Sequence, residues 1–184
     1  MTCPRCLYQT HVCLCAAIPR LDNATRVVIV RHHLEKHRSS NSGRLAHLAL
    51  ANSEIVDHGG PDGPASLPAL DGAYLLYPLG EPTLTIPQPR PKQLFVLDAT
   101  WSQARRMYRK LAAVRGLPVL HVPDSTSRSR VARLRAAPAA GMVSTLEAIA
   151  RALRLLDGDA IATPLEQLYD LAVERARVTG RLAR

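Results

Sequence analysis

Short apolar runs alternate with amphipathic stretches along most of this chain. Residues 25–30 (TRVVIV) are a β-branched run of the kind buried in a sheet. Residues 41–51 carry Leu45, Leu48 and Ala49 at helical spacing, and residues 54–58 read as a second, weaker strand. Residues 59–72 are too rich in Gly and Pro to be anything but loop, residues 73–77 (AYLLY) form a third strand, and five prolines between 78 and 91 exclude a helix there. Residues 93–97 (QLFVL) predict a fourth strand running into Asp98-Ala99-Thr100-Trp101. Ala104, Met107, Tyr108 and Leu111 then recur at helical spacing, with Thr100 and Gln103 at capping-box positions and Gly116 as a stop, so one helix is expected over residues 101–115. Residues 119–122 give a fifth strand. Ser144 and Glu147 repeat the capping-box spacing ahead of Leu146, Ile149, Leu153 and Leu156. Thr163-Pro164-Leu165-Glu166 reads as the start of a last helix reaching about residue 178, and residues 19–23 read as a linker. Strands separated by helices and long crossovers predict an α/β domain with a mainly parallel sheet.

In such sheets ligands bind beyond the carboxyl ends of the strands, which singles out residues 77–82, residues 98–101 and the loop after Val122. Neither a G-x-G-x-x-G after the first strand nor a P-loop sequence occurs, which disfavours an ordinary dinucleotide site and a Walker NTPase. The composition of the 184 residues, 47% hydrophobic and 21% charged, is that of a globular domain able to bury a sizeable core. No apolar stretch approaches the ~20 residues of a membrane span, and Met1 is followed by Thr2-Cys3-Pro4-Arg5-Cys6 rather than a signal sequence, so a cytoplasmic protein without a membrane partner is expected.

Charge changes the picture more. Lys and Arg number 24 against 15 acids, a formal charge of +9, which points to a polyanionic partner with nucleic acid first. Residues 101–135 hold nine Lys/Arg against the single acid Asp124. Such a run is often only a solvated face; this one abuts the candidate ligand loops and fits a phosphate-tracking patch. At 4% aromatic residues, shape and backbone contacts are expected to dominate over base stacking. His33 and His37 are four apart without the carboxylate of a zincin motif, and are read as part of a basic face.

All four cysteines fall at Cys3, Cys6, Cys13 and Cys15, a C-x2-C-x6-C-x-C cluster. Clustering in a chain without a secretory signal favours a closed tetrahedral thiolate site for zinc over a disulfide framework or four unligated thiols. The expected organisation is a zinc-binding segment over residues 1–20 followed by one α/β domain over residues 21–184.

The run Leu97-Asp98-Ala99-Thr100-Trp101, followed by Ala104-Arg105-Arg106-Met107, resembles the signature of the DTW-domain family. The cysteine cluster, the segment from Ser40 to Ala46 (SNSGRLA), Leu76-Tyr77-Pro78 and Ser144-Thr145-Leu146-Glu147-Ala148 occur in that family's order and extend the resemblance over nearly the whole chain. The resemblance implies a tRNA-uridine aminocarboxypropyltransferase that takes the 3-amino-3-carboxypropyl group of S-adenosylmethionine to N3 of a uridine and releases methylthioadenosine. It also implies a SPOUT-like parallel sheet with helices on both faces and a deep knot around the cofactor pocket. One departure stands out: where the family often has His-Pro-x-Glu, this chain has His32-His33-Leu34-Glu35.

On that basis Asp98 is the candidate catalytic residue. Tyr77, Pro78, Gly80, Leu97, Thr100, Trp101, Ser144, Thr145 and Glu147 are candidates for the cofactor, and Arg44, Arg105, Arg106, Arg128, Arg130 and Arg133 for RNA. Asp98 has three readings: a base for the imide proton, an orienting group, or a helix cap. As a strand-end carboxylate in an open loop it is expected to add little to packing. Thr100 is an N-cap in any reading, Trp101 is core or stacking platform, and the 77–80 segment could be an ordinary turn. Two rival functions remain at this stage, a SAM-dependent RNA methyltransferase and a non-catalytic zinc-containing RNA-binding module.

Overall fold

The computed structural model describes residues 1–122, 134 and 143–180. In chain order the elements are β1 (Arg26–His32), α1 (Ser42–Ala49), β2 (Ser53–His58), β3 (Ala73–Leu76), β4 (Gln93–Asp98), α2 (Trp101–Lys110), α3 (Ala112–Arg115), β5 (Val119–Leu120), α4 (Thr145–Leu156) and α5 (Asp159–Val178). The five strands form one sheet in the order β2-β1-β4-β3-β5, and every pairing is parallel. Parallel sheets are covered on both faces, which is why β1 and β4 read as unbroken apolar runs rather than alternating ones. Val27 and Ile29, with Leu94 and Val96, face a core shared with α1, α4 and α5. Val28 and Val30, with Phe95 and Leu97, face a second core built on Ala104, Met107 and Val114 of α2 and α3. Helices therefore lie on both faces, as expected.

This arrangement fixes where a ligand can approach. The central neighbours β1 and β4 send their following helices to opposite faces, so the crevice at their carboxyl ends is the topological switch point of the sheet.

The first twenty residues are part of the first core. Cys6, Tyr8, Val12 and Leu14 are buried in it, and the Tyr8 hydroxyl donates to the Ala172 carbonyl of α5 at 3.3 Å. Residues 19–23, read as a linker, are instead a fixture: Leu21 bridges Leu50 in parallel, and the buried Asn23 amide donates to the carbonyls of Thr25 and Asn52. The proline-rich stretch is likewise pinned, since Arg90 reaches the Leu156 carbonyl and Asp157.

Two helix boundaries differ from the pattern-based expectation. The 101–115 helix breaks at Leu111, which leaves helical geometry at φ −86°, ψ 85°. The break lets Leu111, Val114 and Leu117 all pack on the second core, a demand that one straight amphipathic stripe does not meet. The last helix starts at Asp159 rather than after Thr163, with Gly158 at φ 91° turning the chain and Pro164 inside the helix. Thr163 and Glu166, which look like capping residues, are used by Arg154 of α4: its guanidinium donates to Asp159 (2.6 Å), Glu166 (2.7 Å) and Thr163 (3.3 Å). A tertiary ion cluster has taken the groups that a local cap would have used.

Because Leu14 is fully buried in the main core, Leu14→Ala is expected to lower global stability by about 2–5 kcal/mol rather than loosen only the first twenty residues. A denaturation midpoint equal to that of the unsubstituted protein would mean that the segment folds independently.

Candidate functional site

Asp98, the last residue of β4, is 3% exposed. Its side chain lies on the α1 and α4 side of the sheet, where two helix N-termini meet it. Asn41, the N-cap of α1, donates from Nδ2 to Asp98 Oδ2 at 2.5 Å, while its own Oδ1 accepts from the Arg44 N–H at 2.7 Å. Thr145, the first residue of α4, donates from Oγ1 to Asp98 Oδ1 at 2.7 Å. Ser42 Oγ then accepts from the Leu146 N–H at 3.3 Å, tying the two helix starts to each other. The approach is so close that a Cβ on Gly43 would lie 2.6 Å from Asp98 Cγ, which explains glycine there without any unusual backbone angle. Both helix dipoles present their positive ends to this carboxylate.

The picture of Asp98 as an open-loop residue with little structural weight is thus corrected. It is buried and holds together one strand and two helices. Removing it would leave the buried Asn41 amide without its acceptor, at a cost of about 1–3 kcal/mol.

A second polar pair sits in register beside it. Arg31 of β1 pairs with Asp98 on one side and with Asp57 of β2 on the other. The Arg31 guanidinium, 5% exposed, grips Asp57 through two bonds of 2.7 and 3.1 Å, and Lys36 lies 3.5 Å away. Burial by itself would push the Asp57 carboxyl up; the bonds and charge of Arg31, with Lys36, outweigh it and hold the group below the ordinary carboxylate range. Asn41, Arg31 and Asp57 were not among the residues singled out from sequence. Asn41 carried a usable signal, an Asn immediately before a helical apolar stripe, whereas the Arg31–Asp57 pairing required the strand register.

The other predicted residues separate into groups. Thr145 joins Asp98 directly, and Ser144 and Glu147 form the capping box of α4 one step away, with bonds of 3.0 and 3.2 Å. Thr100 and Gln103 form the expected capping box of α2, and half-buried Trp101 is its first residue. Leu97 and Tyr77 point to the opposite face, into the second core, where Tyr77 stacks on Tyr108. Pro78 and Gly80 are exposed in the following loop, whose Gly80 carbonyl accepts from His121 Nδ1 at 2.8 Å. Arg44 spends its guanidinium on the carbonyls of Lys36 (2.5 Å) and Arg5 (3.5 Å). Arg105 and Arg106 are exposed on α2, while Arg128, Arg130 and Arg133 lie outside the described residues.

At the amino terminus the four thiols converge. Cys3 Sγ lies 3.6 Å from Cys15 Sγ, Cys6 Sγ lies 3.6 Å from Cys13 Sγ, and all four sulfurs fall within 4.8 Å of one another with no disulfide. Tetrahedral coordination at about 2.3 Å per thiolate places sulfurs roughly 3.8 Å apart, so this cage fits a four-thiolate metal site. The turn helps: the Leu7 N–H bonds the Cys3 carbonyl at 2.9 Å, and Leu7 itself is left-handed at φ 63°. Backbone N–H groups of Cys6 and Arg5 aimed at Cys3 lower its thiol to about 6, whereas burial and the crowding of neighbouring sulfurs push Cys15 up to about 12. One thiol sheds its proton easily and another resists, a mismatch that a bound cation removes by taking all four as thiolates.

An all-parallel α/β domain with a buried carboxylate at its switch point and a four-thiolate cage defines the class of protein. The chain belongs to the DTW-domain family, whose sequence model matches residues 1–177. It is 28% identical to tRNA-uridine aminocarboxypropyltransferase A of Arabidopsis thaliana, over 85% of this chain and 73% of that protein. It is 29% identical to proteins named tRNA-uridine aminocarboxypropyltransferase 2 from Drosophila melanogaster and Macaca fascicularis, over 84% of this chain in each case and 66% and 56% of theirs. The chain thus spans between 56% and 73% of the length of these relatives. No solved structure matches it.

Two measurements follow from this geometry. Protein purified without chelators is expected to contain one zinc per chain, and Cys6→Ser, at a buried ligand position, is expected to lose it; elemental analysis finding no stoichiometric metal would remove the site. Asp98→Ala is expected to lower the denaturation midpoint by the equivalent of about 1–3 kcal/mol, and Asp98→Asn by less, since the amide keeps one acceptor oxygen. An Asp98→Ala protein as stable as the original would contradict the joint described above.

Proposed function

We propose that this protein is a tRNA-uridine aminocarboxypropyltransferase, transferring the 3-amino-3-carboxypropyl group from S-adenosylmethionine to N3 of a uridine in tRNA and releasing methylthioadenosine. The observation that carries the reading is Asp98 of the family signature, buried at the switch point and held by the N-termini of α1 and α4, in a chain similar to several proteins named tRNA-uridine aminocarboxypropyltransferase. When bound, S-adenosylmethionine supplies a sulfonium whose three attached carbons are all open to displacement, so the product is decided by which carbon faces the nucleophile. An anionic group on the wall of this crevice suits a cationic cofactor.

In this reading the chain contributes position. Asp98 orients the amino group of the cofactor or the imide of the uridine, and Asn41 and Thr145 fix the rotamer of Asp98. Pro78 and Gly80 of the loop after β3, with Thr100 and Trp101 at the start of α2, border the cofactor at the strand ends, together with Tyr77, Leu97 and the start of α4 at Ser144, Thr145 and Glu147. As the new bond to N3 forms, the carbon–sulfur bond breaks, its electron pair leaves on methylthioadenosine, and the N3 proton passes to water or to a carboxylate oxygen. Zinc at Cys3, Cys6, Cys13 and Cys15 has a structural role, since four thiolates close its coordination. Residues 21–184 carry the catalysis, in a SPOUT-like topology with a knot around the pocket. The basic residues Arg44, Arg105, Arg106, Arg128, Arg130 and Arg133 meet tRNA phosphates, and the enzyme works in the cytoplasm. Among the described residues no helix is long and apolar enough to cross a membrane.

The test follows the atoms. Cofactor labelled in the carboxypropyl carbons is expected to label tRNA, while methyl-labelled cofactor leaves its label in methylthioadenosine. Methyl label appearing in tRNA would replace this reading with an RNA methyltransferase, and no transfer of either label would leave a binding module.

A further inference from the structure

Helix α2 carries more charge than its fold can use. Ala104 and Met107 face the second core, and Arg105, Arg106, Arg109 and Lys110 are exposed on the outer side. These four cations form two like-charged i,i+4 pairs, Arg105 with Arg109 and Arg106 with Lys110, an arrangement that weakens a helix. None of the four has an ion-pair partner among the described residues. Such a stripe is compensated by a polyanion.

Beside it lies an aromatic pair. Tyr77, just past the carboxyl end of β3, stacks on Tyr108 of α2 with ring centroids 4.7 Å apart and planes inclined by 11°. Both rings are only half-buried, although the chain holds just five tyrosines, one phenylalanine and one tryptophan. Arg105 and Arg109 flank Tyr108 on the helix surface, and their charges reach the Tyr77 phenol, lowering its pKa against the larger upward push of burial. Neither hydroxyl has a hydrogen-bond partner among the described residues. The pair is one strand away from Asp98, because β3 adjoins β4, and it projects from the other face of the sheet.

We infer that the Tyr77–Tyr108 stack, flanked by Arg105 and Arg109, is the seat of one unpaired nucleotide of the tRNA, its base on an exposed tyrosine face and its phosphate on the guanidinium groups. The inference rests on the tRNA reading proposed above and adds to it a place and a mode of contact. Aromatic faces accept any base because every base offers a π face, and a neighbouring guanidinium meets the phosphate, which together make the usual chemistry for an unstacked nucleotide. A pair present only for packing would be as well served by aliphatic side chains, and it would not be flanked by two arginines that have no ion-pair partner among the described residues. The sparse aromatic content of the chain pointed away from stacking, but two of its seven aromatic residues are spent at the one place where cations collect.

The experiment titrates tRNA against the full-length, metal-loaded protein and three variants at several salt concentrations. Tyr108→Leu, which keeps apolar packing on the core, is expected to weaken binding about 5- to 150-fold, the range of one base–aromatic stack, without changing the salt slope. Tyr108→Phe keeps the stack and is expected to bind like the original protein. Arg105→Gln combined with Arg109→Gln is expected to lower the slope of log affinity against log salt by about 1.4, two single-strand phosphates at about 0.7 each. Ultraviolet crosslinking of the unsubstituted protein to tRNA provides a measurement that no folding defect can confound, with crosslinks expected at Tyr77 or Tyr108. Equal binding by folded Tyr108→Leu, equal losses in the Phe and Leu variants, or crosslinks confined to other residues would overturn the nucleotide seat while leaving tRNA binding intact. Absence of tRNA binding by the original protein would overturn both readings.

Discussion

The carboxylate of Asp98 is the joint on which this architecture turns. It ends β4 and receives Asn41 from α1 and Thr145 from α4, so one side chain sets the distance and angle between a central strand and two helices that are 57 and 47 residues away in sequence. The Asn41 amide has already been taken out of water, and a buried donor left without its acceptor costs more than the bond contributes in net terms. The joint therefore behaves as a unit. Gly43 makes it possible by letting α1 come within contact distance of the carboxyl carbon, and any larger side chain there would force the helix back. The thiolate cage is coupled to the same helix, because Arg44 of α1 reaches the carbonyls of Arg5 in the cysteine turn and of Lys36 in the loop before α1.

The sheet divides this molecule into two chemically distinct sides. On one face the inward residues lead through α1, α4 and α5 to Asp98 and to the cysteine segment, and Asp98 is bonded to Asn41 and Thr145. On the other, α2 presents cations with no ion-pair partner among the described residues, and a half-buried tyrosine stack. Alternation along the strands enforces the separation: Leu97 and Asp98 are consecutive and point to opposite faces. The Tyr77 ring, packed on the second core, lies on the opposite side of the sheet from the Asp98 carboxylate.

Much of this was legible in the sequence, for reasons that differ element by element. The apolar runs of β1 and β4 reported a sheet covered on both sides, because burial on both faces removes the alternation a half-exposed strand would show. The capping boxes at Thr100–Gln103 and Ser144–Glu147 were readable because their hydrogen bonds close within four residues. The cysteine spacing likewise encodes a local cage. What stayed hidden depends on tertiary partners. Thr163 and Glu166 looked like a cap and serve Arg154 instead; residues 19–23 looked like a linker because the bridge from Leu21 to Leu50 is invisible in either segment alone. Asp98 was identified as the central residue, but its burial was not, since nothing near it in sequence discloses Asn41, Gly43 or Thr145.

That burial bears on how Asp98 can act in the proposed transfer. Asn41 Nδ2 and Thr145 Oγ1 donate short bonds to its two oxygens, and a proton arriving from N3 of uridine would neutralise the carboxylate and weaken both bonds at the moment of reaction. Loosening Asn41 would also disturb the start of α1, because the same side chain caps that helix through Arg44. Loosening Thr145 would disturb the start of α4, which Ser42 also holds. A base built this way would have to perturb its own scaffold in each turnover. A group that orients a cationic or N–H partner needs no such movement, since a carboxylate oxygen has lone pairs for more than one donor. Rigidity is also what selectivity among the three carbons of a sulfonium demands: misplacement by about 1 Å in a displacement reaction costs on the order of 100-fold in rate. The construction of the joint thus favours positioning over proton abstraction as the contribution of Asp98.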